Sequence, residues 1–303
     1  MPTLSFVVTL YNRVTWLPYV LAGIAADEMA ASSEVILLDD GSTDGSAELA
    51  EELTRGWPAV RVLRQANQGP SSAWAAAVAA ARGEWVRPLD CDDMPLPWGS
   101  ALLLDAVRGT GAGFAFAPPE LQPGYAPVPG GPAALPEVPR PADARPVLLD
   151  LLPLSLRRAQ SQPSVWLARR DWLAEAGDRR VFVQDYAVEL RLAARGPAAR
   201  LDAPVTRIGR HPGQLGGNQA QVLHDVNAAL LRFVEERLEL APALRRFAWR
   251  RAAGRAWAWA GRHGAAAELP RVGWARCRAL LGLRPDPAAL LAPFRRSGRI
   301  RLP

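Results

Sequence analysis

The sequence contains no lysine, so all 36 of its basic residues are arginine, against 30 acidic residues. Because alanine is also abundant, this pattern indicates a GC-rich genome rather than selection for nucleic-acid binding. The formal net charge of +6 is unevenly distributed. Residues 1–240 carry 22 Arg against 28 Asp and Glu, whereas residues 241–303 carry 14 Arg against two acids. The chain therefore combines an acidic body with a basic tail.

Cysteine is scarce, with Cys91 and Cys277 alone, so we predict no disulfide framework and expect a reducing compartment. Nowhere do 18 uncharged apolar residues follow one another, which argues against a transmembrane helix. The N-terminal stretch MPTLSFVVTLYNR lacks a basic region, and we predict no signal peptide. These absences favour a cytoplasmic protein, and peripheral attachment to the inner face of the cell membrane stays open.

The first hundred residues alternate strand and helix patterns, as βαβ units do. Strands are predicted at 4–10, 33–40, 59–65 and 84–90, with helices near 17–24, 47–55 and 71–82. We therefore predict an α/β fold with a Rossmann-like, mostly parallel sheet flanked by helices.

The rest of the chain divides by composition. Pro and Gly dominate residues 118–146, which predicts a long loop. Strand and helix patterns resume near 164, and after about 220 the pattern is helical. We predict a catalytic domain over 1–220, with the loop inside it, and a basic helical extension over 221–303.

Acidic residues follow two of the predicted strands. Asp39 and Asp40 end the second strand, and Asp90, Asp92 and Asp93 end the fourth. In an open α/β sheet, ligands bind outside the carboxyl ends of the strands. Carboxylate oxygens suit a hard divalent cation, Mg²⁺ or Mn²⁺, held together with substrate phosphates. A solvated acidic turn that caps the next helix is the alternative reading.

Five segments, taken in order, resemble the family 2 glycosyltransferases, which are inverting, nucleotide-sugar-dependent enzymes with the type-A glycosyltransferase fold. The resemblance covers roughly residues 1–220 and is weakest between 100 and 160. The segments are VVTLYNR (7–13), ILLDDGSTDGS (36–46), NQGPSSAWAAAVAAARGEWVRPLDCDD (67–93), QDY (184–186) and RHPGQLGGN (210–218).

The resemblance implies a nucleotide site at the first two strand ends. Thr9, Tyr11 and Asn12 would line it, with the tyrosine ring against the base. Asp40 would accept a hydrogen bond from the base imino N–H, and Asp39 would support that turn or contact the ribose. Uracil and thymine each offer such an imino donor, which favours a UDP- or dTDP-sugar, although guanine offers one as well.

The resemblance also implies the chemistry. Asp90 would lie near the ribose or a metal-bound water, and Asp92, assisted by Asp93, would bind the metal between the donor phosphates. Asp185 would be the general base that deprotonates the acceptor hydroxyl. An acid placed at a helix N-terminus for its favourable dipole is the alternative for Asp185.

Arg210 and His211 would close over the donor diphosphate.

The sequence departs from the family pattern at two places. Gln184 replaces the usual Glu before the predicted base, and Trp74-Ala75 replaces the usual Arg-Asn in the helix after NQG. A catalytically degenerate sugar-nucleotide-binding or scaffold protein of the same fold is therefore the alternative function.

The basic tail has two readings. The Trp and Arg residues of 245–262 either form an interfacial helix on anionic lipid or pack against the protein with the arginines reaching solvent. No recognition motif accompanies the charge, so nucleic acid is not an expected partner. The expected partners are a nucleotide-sugar donor and a saccharide, lipid-linked or small-molecule acceptor in bacterial surface polysaccharide, glycolipid or secondary-metabolite assembly.

Overall fold

The computed structural model describes residues 2–123, 138–210, 217–298 and 300–301. Residues 124–137, about half of the predicted 118–146 loop, therefore lie outside the described residues. The chain forms two compact units: the first comprises 1–151, 161–177 and 195–214, and the second 152–160, 178–194 and 215–303.

Eleven strands and eleven helices are formed by the described residues. The strands are β1 (Leu4–Leu10), β2 (Ser33–Asp39), β3 (Val60–Arg64), β4 (Trp85–Asp90), β5 (Asp93–Pro95), β6 (Phe114–Phe116), β7 (Glu120–Pro123), β8 (Val147–Leu149), β9 (Trp166–Arg169), β10 (Ala198–Arg200) and β11 (Thr206–Arg210). The helices are α1 (Leu17–Ala26), α2 (Ser46–Leu53), α3 (Pro70–Ala80), α4 (Gly99–Thr110), α5 (Leu152–Ser155), α6 (Arg170–Ala176), α7 (Asp185–Ala193), α8 (Gln219–Glu236), α9 (Pro242–Arg262), α10 (Leu269–Leu280) and α11 (Pro287–Ser297).

The first unit is built on an eight-stranded sheet in the order β3-β2-β1-β4-β9-β6-β10-β8. The pairs β3–β2, β2–β1, β1–β4 and β6–β10 are parallel, which confirms the predicted mostly parallel sheet. Strands β1 and β2 are buried along almost their whole length, because helices cover both faces of such a sheet. The strand order reverses beside β1, and this switch point is where an open α/β sheet forms its ligand crevice.

A second, three-stranded sheet has the order β5-β11-β7, with β11 antiparallel to β5 and parallel to β7. It begins at Asp93, immediately after the end of β4. The turn that carries the acids therefore lies between two hydrogen-bonded strands, β4 before it and β5 after it.

A fully buried guanidinium ties β4 to its surroundings. Arg87 on β4 lies 3.3 Å from Asp27, just beyond α1, and donates to Ser100 on α4. Its other terminal nitrogen donates to the Val205 carbonyl at 2.7 Å and to Thr206 Oγ1 at 2.9 Å. Burial lowers the pKa of Arg87 to about 10, and the neighbouring Asp27 carboxylate opposes that effect.

The second unit is helical, and its core is rich in alanine. Small side chains such as Ala228, Ala252 and Ala256 are buried where α8 and α9 pack together. Trp259 is buried, and its Nε1 donates to Ser297 Oγ at 2.6 Å. No helix of the described ranges is both long and apolar enough to cross a bilayer.

The compact units do not follow the predicted boundary at residue 220. Segments 152–160 and 178–194 pack with the C-terminal helices, because Tyr186 and Leu190 of α7 contribute to the same core as α8. Sequence periodicity does not reveal such long-range packing. The functional division into 1–220 and 221–303 stays a prediction.

Replacing Arg87 by Met should lower the free energy of unfolding by about 3–5 kcal/mol, because it leaves the buried Asp27 carboxylate uncompensated. The matched control is Arg140→Met, which breaks the exposed Arg140–Glu28 pair and should cost less than about 1 kcal/mol. Urea denaturation followed by tryptophan fluorescence measures both. Equal effects of the two substitutions would contradict a structural role for the buried pair.

Candidate active site

The ends of three parallel strands meet at the switch point. Thr9 of β1 is in register with Asp90 of β4, and Leu10 is in register with Asp39 of β2. The acids that follow β2 and β4 therefore flank the end of β1. This confirms the expectation that they gather at one edge of the sheet.

The turn after β1 is locked by its own polar groups. Asn12 has a φ of 52°, a left-handed conformation that asparagine tolerates better than most residues. Its N–H donates to Ser42 Oγ at 2.9 Å, and its Oδ1 accepts from the Thr43 N–H at 2.9 Å. Asn12 thus holds the two turns together, while the adjacent Tyr11 is 48% exposed. An exposed ring on a fixed turn suits stacking against a base.

Both carboxylate oxygens of Asp40 accept bonds from the segment that follows β3. Oδ1 accepts from Gln65 Nε2 at 2.7 Å and from the Gln68 N–H at 2.9 Å. Oδ2 accepts from the Gly69 N–H at 2.9 Å. The side chain is buried and fixes the start of α3. Its predicted contact with a base would have to use the remaining acceptor capacity of these oxygens.

Asp39 is placed differently. Its Oδ2 accepts from the N–H groups of Gly41 and Ser42, at 3.2 and 3.0 Å. Its buried Oδ1 has no hydrogen-bond partner among the described residues. Gly41 has a φ of +75°, and a Cβ there would lie 2.8 Å from the Asn67 nitrogen. The turn therefore requires glycine, and it leaves one Asp39 oxygen able to accept from a ligand.

Asp90, Asp92 and Asp93 converge at the end of β4. Each carboxylate offers an oxygen, and these oxygens all lie within 4.8 Å of one another. Asp90 is exposed, Asp92 is partly buried and Asp93 is buried. The Asp90 N–H donates to Ser164 Oγ at 2.9 Å, which fixes the backbone at the start of this cluster.

The electrostatics of the cluster favour a bound cation. Burial, together with the charges of Asp90 and Asp92, raises the pKa of Asp93 well above its usual range, although Ser164 opposes this. Asp93 Oδ1 is buried and has no partner in the described chain. Because an all-oxygen donor set suits Mg²⁺ or Mn²⁺, these residues fit a divalent metal.

Two neighbours complete the cluster. Arg13 Nε lies 3.9 Å from Asp92 Oδ2, so a cation of the chain approaches the partly buried acid. Cys91 is buried between the acids, and burial with the nearby negative charges raises its thiol pKa well above the usual range. The thiol is therefore protonated at neutral pH and serves as a packing group.

Asp185 begins α7 in the second unit. Burial raises the pKa of its carboxyl to about 6; its own backbone N–H opposes this effect and the charge of Glu189, one turn along, adds to it. Glu189 is fully buried, and it accepts from Ser155 Oγ at 2.6 Å and from the Gln160 N–H at 3.0 Å. A carboxyl with a pKa near 6 is ionised at neutral pH and still basic enough to accept a proton.

A side chain of α8 binds the backbone of the segment that precedes α7. Asp225 Oδ2 accepts from the Val183 N–H at 2.8 Å, and Asp225 Oδ1 lies 2.8 Å from His224 Nδ1. Gln184, at the start of α7, is buried with no partner for its Oε1 among the described residues. The Gln184-Asp185 pair is therefore held in place by a buried carboxylate that contacts neither of them.

Two of the predicted site residues are not fully described by the structure. Arg210 ends β11, opposite Pro123 of β7, and its side chain is not described. His211 lies outside the described residues. Trp74 is buried on α3, and its ring lies against Gly177. The tryptophan that departs from the family pattern is therefore a packing residue.

Sequence reasoning missed Ser164, Glu189 and Asp225. Ser164 contacts Asp90 directly, the charge of Glu189 acts on Asp185, and Asp225 binds the backbone of Val183, two residues before Asp185. The spacing of Asp185 and Glu189 at i and i+4 on a predicted helix was a readable signal. The roles of Ser164 and Asp225 depend on tertiary packing and had no local signal.

A family model described as "Glycosyl transferase family 2" matches residues 5–119. The undecaprenyl-phosphate 4-deoxy-4-formamido-L-arabinose transferase of Aeromonas hydrophila is 39% identical over 92 residues, which cover 29% of this chain and 28% of that protein. The chain spans less than a third of the length of the first curated relatives that it matches.

Two solved structures share the fold of almost the entire chain. S. aureus TarS 1-349 in complex with UDP-GlcNAc has a TM-score of 0.65 at 14% identity, covering 99% of this chain and 93% of that one. The mannosyltransferase PcManGT from Pyrobaculum calidifontis, in complex with GDP-Man and Mn²⁺, has a TM-score of 0.57 at 17% identity, covering 98% and 87%.

The fold is therefore that of the type-A glycosyltransferases. Within it, residues 5–119 are similar to glycosyl transferase family 2.

Replacing Asp185 by Asn should stabilise the protein above pH 6. The folded-state pKa of about 6 exceeds the ordinary value of 3.8, so the unfolded chain loses this proton more readily than the folded one. The wild-type carboxyl therefore lowers the free energy of unfolding as the pH rises from 3.8 to about 6. Asparagine removes that loss, which amounts to at most about 3 kcal/mol.

The gain should shrink towards zero below pH 4, where both proteins carry a neutral side chain. Thermal unfolding at pH 4, 6 and 8 measures it, with Asp105→Asn, an exposed position on α4, as the control. A gain at pH 8 that did not exceed the gain at pH 4 would contradict a strained carboxylate.

Proposed function

We propose that the chain is an inverting glycosyltransferase that moves a sugar from a nucleotide-diphosphate donor to an acceptor hydroxyl. The observation that carries this proposal is the convergence of Asp90, Asp92 and Asp93 at the carboxyl end of β4, where the buried Asp93 Oδ1 has no partner among the described residues. The solved structures in complex with UDP-GlcNAc and with GDP-Man and Mn²⁺ support it.

Asp92 and Asp93 would hold Mg²⁺ or Mn²⁺, with Asp90 beside them at the ribose or a metal-bound water. When bound, the cation would neutralise charge on the departing nucleoside diphosphate. The chain's own contribution is a rigid acidic turn, because β4 and β5 flank it and Ser164 anchors its first N–H. Arg210 and His211 would close over the diphosphate.

The nucleotide would lie along the ends of β1 and β2, with the exposed Tyr11 ring against the base and Thr9 and Asn12 beside it. A carboxylate of the β2 end would accept the base imino N–H, which favours UDP or dTDP. Asp40 has three internal donors, whereas Asp39 Oδ1 has none among the described residues. Asp39 therefore joins Asp40 as a candidate for this contact.

Asp185 would take the proton from the acceptor hydroxyl as its oxygen attacks the anomeric carbon. A pKa of about 6 leaves the group ionised at pH 7.5. One base is sufficient for a single displacement, because a cation held by Asp92 and Asp93 would assist the leaving group, and such a displacement inverts the anomeric centre.

The acceptor would be a saccharide, a lipid-linked group or a small molecule in surface polysaccharide, glycolipid or secondary-metabolite assembly. The similarity to a protein named as an undecaprenyl-phosphate sugar transferase favours a lipid-linked acceptor. Contact with anionic membrane through 245–262 is part of this proposal, although only Trp257 among the tryptophans there is exposed, at 37%.

The donor nucleotide should stabilise the protein in a metal-dependent way. A ligand present at a hundred times its Kd adds about 2.7 kcal/mol of stability. UDP or dTDP with Mn²⁺ should therefore raise the Tm clearly, and the same nucleotide with EDTA should not. Asp93→Asn should lose the metal-dependent part, while the control Asp105→Asn should keep it. A nucleotide shift that is equal with EDTA would contradict metal binding by the acids.

Asp185→Asn should bind the donor as the wild type does and lose turnover by about 10²–10⁴-fold, the range for a general base. In the wild type, kcat/KM should fall below an apparent pKa near 6, because the protonated carboxyl cannot accept the proton. Donor hydrolysis or transfer, measured by nucleoside diphosphate release, checks both expectations. Normal turnover in the variant would remove Asp185 as the base. Metal-dependent binding without turnover by the wild type would favour a non-catalytic protein of this fold.

A further inference from the structure

The second unit contains a pocket of about 380 Å³ lined by residues of α8 and α9. Its wall includes Arg250, Arg251, Arg255 and Arg262, with Trp259 and His263 beside them. The arginines recur at helical spacing, so one face of α9 presents a continuous basic surface to the pocket. No acidic residue of the described chain lines it.

Three of these guanidiniums are held at one edge by backbone carbonyls. Arg250 Nη2 donates to the Leu280 carbonyl at 2.9 Å, and Arg251 Nη2 donates to the Arg157 carbonyl at 2.8 Å. Arg262 Nε donates to the Ala258 carbonyl at 3.1 Å. These contacts orient the side chains without neutralising them. Across the described ranges, none of the three forms an ion pair with a carboxylate.

Arg255 is half-buried, and it is the member of the group with a buried terminal nitrogen. Its Nε donates to Asn227 Oδ1 at 2.8 Å, and Asn227 is itself held by the Ala252 carbonyl at 3.1 Å. Arg255 Nη2 is buried and has no hydrogen-bond partner among the described residues. Burial lowers the pKa of Arg255, the nearby Tyr186 opposes that effect, and the charge of Arg251 reinforces it.

The aromatic edge of the pocket is rigid. The Trp259 and His263 rings stack with their centroids 3.7 Å apart, and Trp259 is anchored through Ser297. The pocket wall is thus preformed, which reduces the entropy lost when a ligand binds.

The same unit neutralises other arginines. Asp178 pairs with Arg180, Arg191 and Arg232, and these contacts overcome burial to hold its pKa well below the usual range. The unpaired basic pocket is therefore not a general consequence of an arginine-rich sequence.

We propose that this pocket binds a phosphate or diphosphate group, with Arg255 Nη2 as the buried donor and Arg251 and Arg262 as flanking charges. Guanidinium forks match phosphate oxygens, and several of them together can neutralise a dianion that one alone cannot. The group belongs either to a lipid headgroup or to a soluble phosphate compound. The inference goes beyond the transfer reaction, because it uses neither the acids after β4 nor Asp185.

The test is pyrophosphate binding to the full chain by calorimetry at fixed ionic strength. EDTA is present throughout, so that metal-dependent binding at the acids is removed. Arg251→Gln, Arg255→Gln and Arg262→Gln should each weaken binding by about tenfold, a loss expected for one charge-assisted contact. The matched control is Arg246→Gln, which removes the same charge from an exposed position on α9 outside the pocket, and should change the Kd less than about twofold.

Vesicles distinguish the two sources of the group. If a lipid carries it, phosphatidic acid vesicles should sediment the wild type, pyrophosphate should compete, and Arg251→Gln should weaken sedimentation more than Arg246→Gln. If the phosphate is soluble, pyrophosphate should bind and the vesicles should not distinguish these two variants.

Two results would overturn the proposal. One is the absence of pyrophosphate binding by the wild type together with equal vesicle binding by all variants. The other is an equal loss in Arg246→Gln and the pocket variants, which would indicate general charge attraction. If Arg255→Gln fails to fold, Arg251→Gln and Arg262→Gln still decide the question, because both side chains leave the core intact.

Discussion

The buried Arg87 is the interaction on which the rest of the site depends. Its guanidinium joins the end of α1, the start of α4 and the first residues of β11 to the middle of β4. From Thr206 the network continues to Ser164, whose carbonyl accepts from Thr206 Oγ1 and whose hydroxyl accepts from the Asp90 N–H. A buried charge with several directional partners permits few alternative packings. The acidic turn, which begins three residues after Arg87, is therefore held in a fixed position.

The acids after β4 are the electrostatic opposite of Arg87. Arg87 is desolvated but compensated by Asp27 and by neutral acceptors, whereas Asp93 is desolvated beside two further carboxylates. Like charges held this close destabilise the fold unless a proton or a cation separates them. Arg87 and its partners fix β4 immediately before the point where this strained cluster begins. This is the usual relation between a rigid scaffold and a strained functional site.

Local sequence patterns were sufficient for the first half of the fold. Alternating strands and helices predicted β1–β4 and α1–α3 to within one or two residues, and strand ends predicted where the acids would gather. The pattern could not predict that Ser164 would anchor Asp90, or that Ser155 and the Gln160 N–H would donate to the Glu189 carboxylate, because these contacts join distant segments. The packing of α7 with the C-terminal helices was not predictable for the same reason: its buried residues have the pattern of an ordinary amphipathic helix, and only packing assigns them to that core.

The absence of lysine changes how the basic residues have to be judged. Because every Lys/Arg position is arginine, the presence of an arginine says little about phosphate recognition, and the net charge of the C-terminal residues adds little more.

The partner of each guanidinium is the informative observation. Arg191 and Arg232 meet Asp178, and Arg284 meets Glu235, so they serve the fold. Arg87 belongs with them despite its burial, because its two terminal nitrogens contact Asp27 and three neutral groups, Ser100 Oγ, the Val205 carbonyl and Thr206 Oγ1. Arg255 differs because no carboxylate of the described residues pairs with it, and its buried terminal nitrogen Nη2 has no acceptor among them. Among the acids, both carboxylate oxygens of Asp40 accept hydrogen bonds from the chain, whereas Asp39 and Asp93 each leave one buried oxygen without a donor among the described residues. For these charged groups, the partners of the outer side-chain atoms indicate more clearly than the residue type which of them stabilise the fold and which are candidates for a ligand contact.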